Sequence, residues 1–174
     1  FWNAPLDDRD HAKNAVRTGL AMLDDLDAFN AAIAPEGVPP FGMGLGINSG
    51  SVVVGNMGSS QRFDYTCLGD SVNLASRLEG QSKPYHVRII IGERTAELLE
   101  DAYPLAELDC IAVKGKTKGV KIYTIVDGTG ANRAYLKTHA DFIRHYGNQD
   151  WDTAKQHILY LEGAFKGELR EYYK

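Results

Sequence analysis

The sequence predicts a mixed α+β domain followed by helices, and three observations support this fold class. Residues 7–33 place apolar side chains at helical spacing, which predicts a long helix. Between residues 41 and 126, short stretches rich in valine, isoleucine and glycine predict strands that alternate with helices. The final stretch, 131–174, contains no strand candidate and predicts two or three helices, interrupted near Gly147 and Gly163.

The strand region divides into separate elements. Residues 41–59 predict a β-hairpin with its turn at Asn48-Ser49-Gly50 and a valine-rich return strand. The stretch DYTCLGDSVNLASRLEG (64–80) begins as a strand, turns at Gly69-Asp70 and continues as a helix. The other predicted elements are a strand at His86–Ile91, a helix at Glu93–Tyr103, and strands at Leu108–Val113 and Val120–Val126 joined by KGKTKG.

Composition restricts the classes of function. The 174 residues suffice for one domain with an appendage, and the net charge of −4 argues against nucleic acid as a partner, because phosphate binding rests on a basic surface. Cys67 and Cys110 lack paired spacing and a nearby histidine cluster, which indicates reduced thiols in a cytosolic setting. No apolar run has the length of a membrane span. The opening FWNAPLDD lacks Met and a signal peptide, so we expect a piece of a longer protein.

Two glycine patterns resemble phosphate-binding loops but fail on spacing. GKT at 115–117 would need a glycine at position 110, which is Cys110. Gly44-Leu45-Gly46 would need a third glycine at Ser49 and a helix after it. We therefore expect these glycines to allow tight turns and close backbone approach.

An organised polar stripe follows the turn at Gly69-Asp70. Asn73 and Arg77 are four residues apart, so they share one helix face, while Leu74 and Leu78 lie roughly opposite and are expected in the core. The predicted helix therefore has a buried apolar face and a separate polar face that carries Asn73 and Arg77.

Two further polar residues complete a candidate nucleotide site. Thr66 ends the preceding strand, and Lys114 lies in a strand-to-loop transition, VKGK. Thr can contact a base edge, Asn can orient a ribose, and Arg and Lys can stabilise phosphate charge. Each residue taken singly also has an ordinary structural explanation, as strand filler, helix surface or solvated charge.

Long motifs identify a family. FGMGLGINSGSVVVGNMGSSQRFDYTCLGDSVNLASRLEG, KPYHVRIIIGE and LDCIAVKGKTKGVKIY closely resemble the class III adenylate/guanylate cyclase catalytic domain, in order over residues 1–126. The resemblance implies a ferredoxin-like class III nucleotide cyclase fold, truncated at its N-terminus, with a C-terminal helical extension. Residues 1–127 would be the downstream portion of the catalytic domain, and 128–174 a helical tail.

The resemblance also implies residue roles. Thr66 falls where the family reads the base, and a Thr there is similar to the bacterial adenylate cyclases. Asn73 matches the ribose-orienting Asn, Arg77 the Arg that stabilises the pentacoordinate phosphorus, and Lys114 the Lys that contacts the triphosphate. The implied activity is that of a lyase that converts ATP to 3′,5′-cyclic AMP and pyrophosphate in signal transduction.

The chain departs from the family pattern at its start. The family binds two Mg²⁺ or Mn²⁺ ions through two Asp residues that would precede Phe1, so the implied metal ligands lie outside this chain, which itself supplies none. The family works as a homodimer with active sites at the interface, where one chain gives the metals and the other Asn and Arg. We therefore expect this chain alone to be inactive, to expose an open sheet edge and to associate readily.

Alternatives remain open at this point. A non-catalytic, cyclase-like dimerisation or signalling module would be expected to lose Asn73 or Arg77, and both are present. A guanylate cyclase is disfavoured by Thr66. The tail carries one partial match, YGNQDWDTAKQHILYLE, to a tetratricopeptide-type helix, which is either the start of such a region or a helical extension. A cytoplasmic domain, attached to a membrane only through an upstream segment, is expected.

Overall fold

The computed structural model describes residues 1–59, 62–112, 119–126, 130–165 and 167–174, and has the mixed α+β architecture that the sequence predicts. Its helices are α1 (His11–Ile33), α2 (Asp70–Gln81), α3 (Glu93–Leu99), α4 (Gly130–Gly147), α5 (Trp151–Ala164) and α6 (Glu168–Tyr172). Its strands are β1 (Leu45–Ile47), β2 (Val53–Ser59), β3 (Arg62–Leu68), β4 (Ile89–Gly92), β5 (Leu105–Ile111) and β6 (Val120–Ile125). None of the helices in these ranges is long and apolar enough to cross a membrane.

The strands form two separate sheets. Within the described residues, one sheet has the order β1-β4-β6-β5, in which only the β1–β4 pair is parallel. The second sheet is a two-stranded antiparallel ribbon of β2 and β3. Among the described residues, β1 and β5 are therefore the two edge strands of the larger sheet.

The predicted hairpin over 41–59 is wrong. Leu45–Ile47 pairs in parallel with Ile89–Ile91, far along the chain, whereas Val53–Ser59 pairs with Arg62–Leu68. The predicted turn at Asn48-Ser49-Gly50 is a loop between the two sheets. Local glycine and valine content correctly indicated strands but contained no information on which strands pair.

Helix ends differ from the prediction where the backbone changes direction. Helix α3 ends at Leu99 instead of Tyr103, because Glu100 adopts a positive φ of 52° that a right-handed helix cannot contain. Helix α5 continues through Gly163 to Ala164, since a single helical glycine is tolerated. The predicted break after Gly147 is confirmed.

The sheet carries a separate buried cluster on each face, because residues along a strand alternate in direction. On one face, α1 and α3 cover Ile89 and Ile91 of β4. On the other face, α2 and the C-terminal helices cover Ile90. The members of this second cluster that come from α2 and from the chain after α4 begins are Leu74, Leu78, Phe142, Ala154, Leu161, Phe165, Leu169 and Tyr173. Helix α2 and the C-terminal helices thus share one core.

Helix α2 packs directly on the backbone of β1. A Cβ atom built on Gly46 would lie 2.9 Å from Glu79 Cα and closer still to the carbonyl oxygen of Ala75. Gly44 approaches the side chain of Ser82 in the same way. The close backbone approach expected of these glycines is confirmed, although the partner is a helix instead of a hairpin strand.

The C-terminal helices are fixed to β5 by polar contacts. His139 of α4 is 2% exposed, and its Nε2 lies 2.7 Å from the carbonyl oxygen of Glu107. Its Nδ1 contacts the hydroxyl of Tyr173. A neutral imidazole satisfies both contacts when Nε2–H donates to the carbonyl and the Tyr173 hydroxyl donates to Nδ1. Burial accordingly lowers the pKa of His139.

Replacing Gly46 with Ala should destabilise the fold, because the added methyl group meets the backbone of α2, which cannot rotate away. We expect the free energy of unfolding, measured with urea, to fall by about 1–3 kcal/mol. Gly80→Ala is the matched control, since Gly80 is an exposed glycine within α2 and its added methyl group meets nothing within 4 Å. That control should gain roughly 0.5–1 kcal/mol from helix propensity. Equal effects of the two changes would contradict the proposed contact.

Acid should weaken the attachment of the C-terminal helices. As the pH falls below about 6.5, His139 becomes protonated in the unfolded chain but stays neutral in the folded chain, because its pKa is lowered there. The free energy of unfolding therefore decreases by at most about 1.4 kcal/mol per pH unit. The nearby carboxylate of Glu107 is held by Lys121 at 2.9 Å. Urea unfolding between pH 7 and pH 5.5 should show this slope in the wild type and in His11→Gln, and a reduced slope in His139→Gln. An unchanged slope in His139→Gln would refute the assignment.

Candidate active site

Helix α2 presents three faces to three environments. Leu74 and Leu78 are 5% and 0% exposed and enter the core, as the sequence predicts. Val72 and Ala75 face a cavity beside β1. The remaining face points outward, toward solvent, and carries the polar stripe. The division follows from the 100° turn per residue of a helix.

The start of α2 is fixed by its neighbours and not by a side-chain cap. Gly69, the residue before the helix, has a positive φ of 153°, and a Cβ there would lie 3.3 Å from the carbonyl oxygen of Ser51. The side-chain amide of Asn48 donates to the carbonyl oxygen of Ser71 at 3.0 Å. The loop after β1 therefore sets where the first turn of α2 begins.

Asn73 and Arg77 are exposed on the outer face, one helical turn apart. Neither side chain forms a hydrogen bond or ion pair with any residue in the described ranges. An exposed guanidinium with five donors and no carboxylate partner can bind an anion without first breaking an internal contact. The stripe is thus chemically available to a phosphate.

Thr66 lies on the ribbon, two residues before β3 ends, and is half-buried. The ribbon register places Gly55 opposite Thr66 and Val53 opposite Leu68, all on one face. Cys67 points to the other face, toward the cavity. The predicted fourth residue, Lys114, lies outside the described residues.

A cavity of about 730 Å³ lies beside the open edge of β1. Helix α1, the loop after β1, α2 and the first four residues of the chain line it. Phe1 also packs on Tyr65 of the ribbon, with ring centroids 5.8 Å apart. Thr66, Asn73 and Arg77 are not among its lining residues. The cavity and the polar stripe are therefore different surfaces of the molecule.

The described part of the chain does not fit a metal ion. It contains no group of three or more His, Cys, Asp or Glu side chains placed to hold one. Cys67 and Cys110 are free thiols, as expected. A divalent ion beside Asn73 and Arg77 would need ligands from outside the described residues.

Comparison with known proteins decides the family. The family model described as the adenylate and guanylate cyclase catalytic domain matches residues 3–127 of this sequence. The chain belongs to this family. The family consists of nucleotide cyclases, which are lyases that use divalent metal ions, and the prediction of a class III cyclase domain is confirmed.

Curated cyclases match most of this chain but are much longer. Adenylate cyclase 1 of Rhizobium meliloti (strain 1021) is 38% identical over 140 residues, which is 80% of this chain and 21% of that protein. Adenylate cyclase of Anabaena cylindrica is 36% identical over 118 residues, which is 64% of this chain and 24% of that protein. The chain thus spans about a quarter or less of the length of these relatives.

Solved cyclases share the fold. The crystal structure of the adenylyl cyclase CyaB from P. aeruginosa superposes with a TM-score of 0.65 and 34% identity, covering 73% of this chain and 65% of that one. The crystal structure of the guanylyl cyclase Cya2 gives a TM-score of 0.63 and the same 34% identity, covering 74% and 65%. The predicted class III cyclase fold is confirmed, and these two likenesses do not separate adenylate from guanylate cyclases.

The structure brings together part of the predicted site. Asn73 and Arg77 share the outer face of α2, and Thr66 precedes them on the ribbon. Sequence reasoning missed the contact of Asn48 with the first turn of α2 and the helix that packs on Gly46. The only sequence signal for these two was the glycine-rich run of which Gly46 is a part, and it does not reveal the partner.

Proposed function

We propose that the intact parent domain is an adenylate cyclase. The observation that carries this proposal is the pair Asn73 and Arg77 on one exposed face of α2, which has no partner among the described residues and lies within motifs of a confirmed cyclase family. In the proposed reaction the ribose 3′-oxygen forms a bond to the α-phosphorus of ATP. The bond from that phosphorus to the bridging oxygen breaks, and pyrophosphate leaves with the electron pair. The 3′-hydroxyl proton passes to solvent.

Each proposed role follows from the chemistry of the side chain. Arg77 supplies fixed positive charge where negative charge accumulates on the phosphate oxygens in the transition state. Asn73 can donate to and accept from the ribose, which orients the 3′-oxygen for in-line attack. Lys114 binds the triphosphate as a point charge. The hydroxyl of Thr66 can contact the edge of the base, and the similarity of a Thr at this position to the bacterial adenylate cyclases supports ATP over GTP.

We further propose that the active form is a homodimer with the sites at its interface. Asn73 and Arg77 face outward, so a substrate bound there needs a second surface to enclose it. The ribbon offers an apolar contact on the face of Thr66, where Val53 and Leu68 are 68% and 58% exposed and directly opposite each other. A second chain that covers this pair would lie next to the base-reading residue.

The two divalent ions of the proposed reaction, Mg²⁺ or Mn²⁺, are held by aspartates outside this chain. In the described part of the chain one edge of β1 is unpaired and has a cavity beside it, which supports the proposal that a further strand carrying them pairs there. This chain by itself is therefore proposed to be inactive. The parent domain is proposed to be cytoplasmic, with membrane attachment through other segments if it is attached at all.

Two alternatives follow from the same surfaces. A non-catalytic dimerisation module would use the apolar ribbon and leave Arg77 without a role. A guanylate cyclase would use the same chemistry on GTP. Because the chain is similar to the guanylyl cyclase Cya2, GTP should be assayed beside ATP.

Cyclic nucleotide formation tests the proposal. A form of the protein extended upstream to include the metal-binding aspartates should convert ATP with Mn²⁺, and Arg77→Ala should reduce kcat by about 10²–10³ because one charge stabiliser is lost. Arg17→Ala, at an exposed arginine of α1, should keep full activity. This chain alone should give no product.

The outcomes of that assay separate the alternatives. A higher kcat/KM with GTP than with ATP would assign a guanylate cyclase. No product from either nucleotide, with folding and dimerisation confirmed, would favour the non-catalytic module and overturn the proposal.

Association of the chain tests the interface. Leu68→Lys should weaken self-association about 10- to 100-fold, because burying a leucine side chain contributes about 1.5–3 kcal/mol. The matched control is Leu159→Lys on α5, where the leucine is 65% exposed and far from the ribbon in sequence. Sedimentation equilibrium over a range of concentrations measures both. Equal weakening, or none, would exclude the ribbon as the interface.

A further inference from the structure

A side chain of the last helix contacts the segment that follows α2. Tyr172 of α6 stacks on Tyr85, with ring centroids 6.4 Å apart and an angle of 25° between the planes. Its hydroxyl donates to the carbonyl oxygen of Leu108 in β5 at 2.7 Å. Tyr172 therefore joins α6 to both the sheet and the segment that follows α2.

Tyr85 is itself tied to both the sheet and α2. Its hydroxyl donates to the carboxylate of Asp109 in β5 at 2.6 Å. Its backbone N–H donates to the carbonyl oxygen of Gln81, the last residue of α2, at 3.1 Å. A side chain that packs on Tyr85 therefore stabilises the last turn of α2, the helix that carries the polar stripe.

The buried side chains give a second, indirect connection. Leu74 and Leu78 of α2 belong to the same core cluster as Phe165, Leu169 and Tyr173 of the C-terminal region. Leu74 and Leu78 are the immediate chain neighbours of Asn73 and Arg77 and point into the core while those two point out. The C-terminal helices and the inner face of α2 therefore bury side chains in one continuous cluster.

We propose that Tyr172 is a positioning residue for α2, through which the C-terminal helices set the placement of Asn73 and Arg77. The importance of this placement for catalysis rests on the proposed cyclase function. The positioning itself does not, because it is a mechanical relation between α6 and α2.

Hydrogen exchange in this chain tests the proposal without any activity. Tyr172→Ala should accelerate exchange of the amides in the second half of α2 by about three- to tenfold, the range expected when an aromatic pair is lost from a local opening equilibrium. Tyr172→Phe keeps the ring and loses only the hydrogen bond to Leu108, so its exchange should be slower than that of Tyr172→Ala and closer to wild type. Tyr160→Ala, at an exposed aromatic residue of α5, is the matched control and should leave α2 unchanged.

Helices α1 and α3 serve as the internal reference, because they cover the opposite face of the sheet in a separate core cluster. Their exchange should stay the same in all variants. Equal acceleration of α1 and α2 would show general destabilisation and overturn the proposal, as would unchanged α2 exchange in Tyr172→Ala.

Kinetics in the upstream-extended, active form supply an independent measurement. Tyr172→Ala should lower kcat by about three- to tenfold with KM for ATP changed less than twofold, and Tyr172→Phe should recover kcat. If Arg77→Ala leaves activity intact, the proposed function fails, while the exchange result still decides whether Tyr172 positions α2.

Discussion

The contact between α2 and β1 at Gly46 is the constraint on which the rest of the site depends. Because no side chain separates the two backbones there, the height of α2 above the sheet is fixed by van der Waals contact of main-chain atoms. The outer face of the helix then lies at a defined distance from the sheet, and this distance sets where Asn73 and Arg77 lie. The amide of Asn48 on the first turn adds a fixed starting point. A polar surface placed this way needs few specific side-chain contacts of its own.

The two faces of the sheet have different partners, and this division organises the molecule. Helices α1 and α3 form one cluster with Ile89 and Ile91, while α2 and the C-terminal helices form the other with Ile90. The second cluster is rich in aromatic side chains that also make polar contacts, such as His139 with Glu107 and Tyr172 with Leu108. Buried polar groups of this kind fix one arrangement, since a shifted helix would leave them unsatisfied. The C-terminal helices are accordingly attached in a specific register.

Local patterns predicted what depends on local physics. Helical periodicity separated the buried Leu74 and Leu78 from the exposed Asn73 and Arg77 correctly, because both positions follow from rotation about one axis. The pairing of Leu45 with Ile89 was missed, since parallel pairing joins segments far apart in the chain and has no turn signature. The end of α3 at Leu99 depends on the single backbone conformation of Glu100, which composition does not indicate. The roles of Thr66, Asn73, Arg77 and Lys114 stay predictions, carried by the family motifs.

The ribbon of β2 and β3 has a consequence for substrate choice. A two-stranded ribbon is only marginally stable in water unless another layer covers it, and in the described residues these strands pair only with each other. Thr66, the residue proposed to distinguish adenine from guanine, stands on this weakly supported element, whereas Arg77 stands on a helix seated in the core. Thr66 would then discriminate adenine from guanine only when the second chain of the proposed dimer packs on the ribbon and makes it rigid. Fidelity toward the nucleotide would in this way be a property of the assembly, whereas the placement of Arg77 would be set within the single chain.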